Sequence, residues 1–297
     1  MPSWSELQPF IVSGLALGGV YALSGVGMVV LYQATGVVYL AFGAVGAMGA
    51  LIAWSLTHAG VPGWVGWLAC VAFGGVVTLG YGMVFGPALA KRDPLVKAVA
   101  TLGLTLVLFG VMDLLWTTSG GQSRAITLPT DNGAFMIGQV QVNWTQVIGL
   151  GVGVAITAGI GAFLRYTKLG TAMRAMANDR EITATLGVPV RRVEAAAWLG
   201  CGVLAGVAGL LLADLVALDA ATLTFLVISS LAATLIARLR SITVTFLAAI
   251  AIGLVHDLLT PIQALSNYRD MTPFVLAAVA LLVLSRRRVM TSSREEA

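Results

Sequence analysis

Charge is what this chain of 297 residues has least of. Only 10% of its residues are Asp, Glu, Lys or Arg, and the 84 residues from Leu7 to Ala90 contain none. A soluble domain carries about 25% charged residues, so a water-soluble fold is excluded. Cysteine is scarce too. Cys70 and Cys201 both fall in apolar runs, where they read as packing residues, with neither a disulfide nor a metal site expected. The three lysines, Lys91, Lys97 and Lys168, follow Ala90, Val96 and Thr167. A phosphate-binding loop needs Gly-Lys followed by Ser or Thr, so no ATP site is expected here. The first basic residue is Lys91, so the basic start of a secretory signal is missing. Asp113 and the His256–Asp257 pair lie toward the outer ends of their apolar runs. Ion-driven carriers keep such groups at mid-membrane, which disfavours ion coupling. No catalytic residues and no bound cofactor are expected, and the chain does not read as an enzyme.

What is abundant is apolar. Hydrophobic residues make up 58% of the chain, and there are 35 glycines. A membrane-crossing helix needs about 20 apolar residues. Charge-free runs of that kind predict nine spans, at 10–31, 36–57, 64–86, 98–117, 145–164, 195–217, 222–238, 241–259 and 272–285. The fold class is all-α: a polytopic membrane bundle, one permease-type domain over 1–297. Basic residues are retained on the cytoplasmic side. With the N-terminus outside and the C-terminus inside, 15 of the 17 Lys and Arg lie inside, leaving Arg124 and Arg269 outside. The span at 222–238 is short, but without it "SRRRVM" (285–290) would move to the outer face. The net charge of +4 follows this distribution and is no nucleic-acid signature.

Glycines four apart, Gly14/Gly18, Gly82/Gly86, Gly149/Gly153 and Gly202/Gly206, let helix backbones approach closely. "FGAVGAMGA" (42–50) places Gly43, Gly46 and Gly49 three apart, a face that serves either as packing or as the wall of a narrow path. "FMIGQVQV" (135–142) alternates about Gly138-Gln139, predicting a small β-hairpin in an external loop at 118–143.

The exception to all this is "KLGTAMRAMANDREITATLGVPVRRVE" (168–194), the most polar internal stretch, within a cytoplasmic segment at 165–194. Its first part is helix-forming. Asn178 with Glu181 predicts a capping box opening a second short helix, with Asp179 in its first turn. Gly187 suits the C′ stop and Pro189 follows. On a helical wheel Arg174, Asn178, Glu181 and Thr185 form a polar stripe, and Met173, Ala177 and Ala184 a smaller apolar face. A mere topological anchor needs only a few arginines. A shaped helical pair suits a protein partner.

This stretch resembles the cytoplasmic loop of permease subunits of branched-chain amino acid ABC importers. "GLALGGVYALSGVGMVVLYQATGVVYLAFGAVGAMGAL" (14–51), "AVATLGLTLVLFGVMDLLW" (98–116) and the hairpin resemble the same family. Two departures stand out. "YLAFG" (39–43) replaces an Asn-Phe-Ala-His-Gly-like stretch, and "AATLIARLRSITVT" (232–245) stands where the family has Gly-Gly-x-Gly. The resemblance implies a transport subunit of a bacterial plasma membrane, driven by separate ATPase subunits. A second permease subunit, an extracytoplasmic solute-binding protein and membrane lipid would be its partners. It implies a translocation path near Tyr39, Phe42, Gly43 and Gly46, and an ATPase contact formed by Arg174, Ala175, Asp179 and Gly187. The implied substrate is Leu, Ile or Val, or another small amino acid. Urea, an amide or a sugar in a related importer is the alternative, as is a secondary transporter or channel.

Overall fold

The computed structural model describes residues 4–90, 92–116, 134–137, 140–216, 218–261, 271–280 and 282. They form helices α1 (Trp4–Thr35), α2 (Phe42–His58), α3 (Gly63–Leu89) and α4 (Pro94–Trp116), then strands β1 (Ala134–Ile137) and β2 (Val140–Asn143). Helices α5 (Trp144–Tyr166), α6 (Lys168–Asn178), α7 (Arg180–Thr185), α8 (Val190–Leu215), α9 (Ala220–Ile236) and α10 (Ile242–Leu258) follow. A further helical stretch covers 272–280. Among the described residues the elements are helices, as expected, apart from the hairpin.

Among the described residues five helices, α1, α3, α4, α5 and α8, are long and apolar enough to cross a membrane. The three shorter apolar ones, α2, α9 and α10, have 17 residues each. At about 1.5 Å per residue that length is at the low end of a span. Helix α1 starts before the expected 10–31 and runs beyond it. The hairpin pairs antiparallel with Ile137 opposite Val140. The expected turn at Gly138-Gln139, most of the loop at 118–143 and the basic cluster after 282 lie outside the described residues.

The core is built on α1 and α2. The apolar stretch of α1 is 94% buried, against 17% for that of α5, so α1 is wrapped by protein while α5 presents most of its surface to solvent or lipid. Exposed Val76, Val84, Leu106, Val107 and Leu114 mark α3 and α4 as peripheral too. What allows the wrapping is backbone proximity. A Cβ on Gly18 would stand 2.8 Å from Ile250 Cα in α10, and one on Gly19 2.8 Å from Leu150 Cα in α5. Gly74 of α3 and Gly202 of α8 each face the other's carbonyl oxygen. Of the expected pairs, Gly14/Gly18 and Gly202/Gly206 hold crossings at both members, whereas Gly86 faces open space and Gly149 makes ordinary contact.

Polar caps set the later helix starts. The Asp219 carboxylate accepts from Thr222 N at 2.8 Å, and Ser241 Oγ from Val244 N at 3.3 Å, satisfying donors that a helix N-terminus leaves open. Between α9 and α10 the chain reverses through Arg238 and Leu239, with φ of 53° and 56°. Left-handed backbone costs an L-residue about 1–2 kcal/mol.

The α3–α8 crossing yields a test. Gly202→Leu would drive a side chain into the Gly74 backbone, whereas Gly200, two residues away, faces open space. In detergent, Gly202→Leu should lose about 3 kcal/mol of stability by overpacking, seen as a lowered thermal midpoint. Gly200→Leu should unfold like the parent. Equal midpoints for the two variants would refute this packing.

Candidate functional site

The connection from α1 to α2 is held by α4. Gly36, at φ +66°, ends α1. Thr101 Oγ1 then lies 3.0 Å from Val38 O and accepts from Leu40 N at 3.1 Å. This is the threonine of the "ATLGL" stretch, and its clamp on the neighbouring backbone could not be read from the sequence. The clamp seats Tyr39, fully buried, its hydroxyl 3.2 Å from Thr78 Oγ1. The Tyr39 ring meets Trp198 edge-on at 5.5 Å between centroids, and Tyr81 packs on Trp198 at 5.7 Å.

The expected path residues are only partly brought together. Phe42, Gly43 and Gly46 line one small void among α1, α2, α8 and α9, with Ser24, Leu223 and Val227. It has room for about one water molecule. Tyr39 does not line it and belongs instead to the aromatic cluster with Trp198. A Cβ on Gly43 would lie 2.7 Å from Thr224 O, and one on Gly46 2.7 Å from Ala205 O. Both glycines are therefore also helix-crossing residues, so bulky substitutions there test packing before they test a path.

Two open cavities lie at opposite ends of α1. One, of about 880 Å³, is lined by Phe10, Ser13, Leu17, Thr222, Phe225, His256 and Asp257 among others. His256 Nδ1 stands 3.1 Å from Asp257 Oδ1, and both residues are buried. The other, of about 940 Å³, is polar and collects Lys97, Arg174, Arg180, Arg238 and Arg240 at the far end of α1. Neither cavity was foreseen. The basic residues were visible, but their convergence from four separate segments was not.

At that basic end lies the polar segment, and it forms two short helices as expected. The capping differs. Thr167 caps α6, its Oγ1 accepting from Gly170 N at 3.0 Å. Asp179, not Asn178, caps α7: one carboxylate oxygen accepts from both Glu181 N and Ile182 N at 2.9 Å. Asp179 is thus the cap itself rather than a first-turn residue. The expected apolar face is also corrected. Met173 turns inward with Met176, both buried, leaving Ile182 and Leu186 as the large exposed apolar residues of the pair, 59% and 77% accessible. Gly187 takes φ +82°, as its C′ role requires.

The pair is anchored rather than dangling. Gly170 brings the backbone of α6 against Phe163 and Leu164 at the end of α5, and α6 also packs across the end of α1. Arg180 Nε and Nη2 both donate to Glu194 Oε1, at 2.9 and 2.7 Å, tying α7 to the start of α8. Arg174 and Ala175 are exposed, and Arg174 also lines the basic cavity. Among the described residues no cluster of His, Cys, Asp and Glu could hold a metal ion.

A family model described as branched-chain amino acid transport system / permease component matches residues 10–284. Relatives include the high-affinity branched-chain amino acid transport system permease protein LivH of Escherichia coli (strain K12), 25% identical over 292 residues and 92% of each chain. The probable branched-chain amino acid transport permease protein LivH of Methanocaldococcus jannaschii is 27% identical over 246 residues, 80% of this chain and 76% of that one. The high-affinity permease BraD of Pseudomonas aeruginosa is 25% identical over 298 residues, 95% of each chain. Among solved structures, PsaBC from Streptococcus pneumoniae in complex with Fab covers 93% of this chain and 89% of that one, at 15% identity and a TM-score of 0.48, too loose a likeness to inform the helix arrangement. Matched over nearly its whole length, a bundle of apolar helices gripped at one end by an exposed helical pair, the chain belongs to the permease components of branched-chain amino acid transport systems.

Proposed function

We propose that this chain is one transmembrane subunit of an ATP-binding-cassette importer in a bacterial plasma membrane. In this reading it passes Leu, Ile, Val or another small amino acid inward by alternating access. A second permease subunit, two ATPase subunits and an extracytoplasmic solute-binding protein complete the assembly, and the whole of 1–297 acts as a single domain. The observation that carries the reading is the α6–α7 pair: capped, exposed on one side, and clamped by Gly170, Met173 and Met176 onto the ends of α5 and α1. A push on its exposed side is delivered to two membrane helices. Arg174, Ala175, Asp179 and Gly187 are the residues proposed to form or hold the ATPase contact. Asp179 and Gly187 act by fixing the two ends of α7, while Arg174 and Ala175 face the partner.

The nine-span arrangement with the N-terminus outside fits the convergence of basic residues at one end. The end of α1, the start of α4, α6–α7 and the α9–α10 turn meet there, and each would be cytoplasmic. The start of α1, the start of α9 and the end of α10 meet at the opposite cavity, and each would be external. Phe42, Gly43 and Gly46 then sit between an external vestibule and a cytoplasmic pocket, beside a small void that in this reading belongs to the path. Tyr39 fixes the neighbouring wall. No cofactor on this chain has a part in the process.

Three experiments test these points. Asn178→Cys, with Cys70 and Cys201 replaced by Ala, should react with an impermeant thiol reagent only in inside-out vesicles; labelling of intact cells would overturn the topology. Leu223→Ala or Val227→Ala enlarges the void, and buried truncation costs about 2–5 kcal/mol for leucine. If the void belongs to the path, proteoliposomes carrying either variant should leak radiolabelled leucine without ATP. Lowered stability with no leak would leave it as packing. Ala175→Trp leaves the isolated subunit intact because the position is exposed, yet it should abolish transport and the ATPase response to loaded binding protein. Normal transport by this variant would sink the coupling assignment.

A further inference from the structure

The cavity at the start of α1, about 880 Å³, has the size of a small-molecule site. Most of its lining is apolar, including Leu17 from α1, Phe225 and Ile228 from α9, and Phe274 from the helical stretch after α10. Into this lining the end of α10 brings His256 and Asp257, each 7% exposed. The described residues that line the cavity include no Lys or Arg.

Asp257 lies in the last turn of α10. The carbonyl end of a helix carries a partial negative charge, so a carboxylate there is unfavourable and a cation favourable. His256 Nδ1 stands 3.1 Å from Asp257 Oδ1. A neutral imidazole gives that oxygen a hydrogen bond but no positive charge. A carboxylate has about four acceptor positions, so a donor from a ligand can join His256 on it. Packing holds the group in place. A Cβ on Gly14 would lie 2.9 Å from Gly253 O and 3.3 Å from Asp257 Cβ, so α10 rests on bare α1 backbone at this turn.

Together the carboxylate and the apolar walls select a ligand. An anion would be repelled by Asp257 at close range. A sugar would set hydroxyls against aromatic and aliphatic walls that offer them no partners. A compact molecule with one ammonium group and one hydrocarbon body satisfies both surfaces, its N–H donors on Asp257 and its apolar part on Leu17 and Ile228.

We propose that this cavity is a solute-binding station in which Asp257 takes the ammonium group of an amino acid with an aliphatic side chain. The Ser13 and Thr260 hydroxyls line the same cavity and suit the amino acid's carboxylate. This inference rests on the importer reading and deepens it: the membrane subunit itself selects for an amine, in addition to any selection by a binding protein. Asp257 is then a specificity-determining residue, and His256 positions it.

The test uses the full chain with its co-purifying subunits, without binding protein, in phosphatidylcholine nanodiscs, a lipid with no primary amine. L-leucine, isoamylamine (leucine without its carboxylate), isocaproate (leucine without its ammonium) and methylamine are titrated, and the rise in thermal midpoint is read. Leucine and isoamylamine should raise the parent midpoint, methylamine should need a higher concentration, and isocaproate should have no effect. Asp257→Asn should raise the half-saturating leucine concentration about tenfold or more. Phe225 is exposed, so Phe225→Ala should fold; it should keep the amine response and narrow the preference for isoamylamine over methylamine about fivefold. Asp93→Asn removes an exposed carboxylate at the other end of the bundle and should respond like the parent. Equal responses to leucine and isocaproate would overturn the proposal, as would no response to leucine or a leucine response that survives Asp257→Asn. If Asp257→Asn does not fold, the ligand series on the parent and on Phe225→Ala decides: an unchanged amine preference in Phe225→Ala would overturn the site. So would release of a co-purifying subunit by Phe225→Ala, which would make the cavity a subunit interface. ATP-driven leucine uptake with loaded binding protein is measured on the same preparations. Uptake by a parent that shows no leucine response would sink the station and leave the importer reading standing, whereas a leucine response without uptake would keep the site and count against that reading.

Discussion

Close approach of helix backbones is the constraint on which the rest of this structure depends. In hydrocarbon an apolar side chain gains nothing by leaving lipid for protein, so helices associate through packing and through small residues that let backbones meet. Helix α2 shows the consequence most clearly. Its three glycines, three residues apart, face three different partners: Gly43 meets α9, Gly46 meets α8, and Gly49 meets Cys70 of α3. A stripe at that spacing rotates around the helix rather than running down one side, so it suits a hub with neighbours on several sides. Helix α1 does the same with Gly14 and Gly18 toward α10 and Gly19 toward α5. With both hubs enclosed, the remaining helices turn their larger apolar side chains outward.

Much of this was legible in the chain, for a simple reason. Long charge-free runs in a bilayer admit helices and little else, and polar breaks mark their ends. The helical stretches therefore fall where the runs do, including α9 at 220–236, where a short span was expected at 222–238. The errors come from geometry that a run cannot carry. A helical wheel drawn through 173–185 assumes one continuous helix. Asp179, at φ −154° and ψ 113°, breaks it and resets the phase, so Met173 lies inside while Ile182 and Leu186 lie outside. Asn178 and Asp179 can both cap a helix; the carboxylate of Asp179 wins because one oxygen reaches two successive backbone donors. The glycines of α2 were open between packing and path, and the structure gives Gly43 and Gly46 a part in both a crossing and a void wall. The cavities were invisible because each is a gap between segments far apart in the chain.

The α9–α10 turn shows how local rules and tertiary demands conflict. Nothing in "ARLRS" announces left-handed backbone, and glycine is the residue that adopts it without steric cost. Two non-glycine residues accept it here because both ends of the turn are constrained. Leu239 N donates to Thr234 O at 2.8 Å, closing α9, and Ser241 opens α10 at once. With no room for a longer loop, the buried side chain of Leu239 and the grip of Gln33 on Arg240 O hold the reversal. The departure from a glycine-rich turn is therefore also what places the arginines.

Helix α1 connects these features. Along its length lie the cavity holding His256 and Asp257, then the small void at Ser24, then the basic pocket at Tyr32–Gly36. Across its last turns lies α6. The same helix has the least freedom to deform, since its glycine contacts with α5 and α10 leave no slack on either side. A packed element of this kind does not bend in proportion to a push; it holds one arrangement until the packing around it switches to another. Force arriving at α6 through its buried methionines cannot be absorbed locally. In the proposed coupling it would pass to α1 and α5, against which α6 packs, and the void at Phe42, Gly43 and Gly46 lies where α1, α2, α8 and α9 meet.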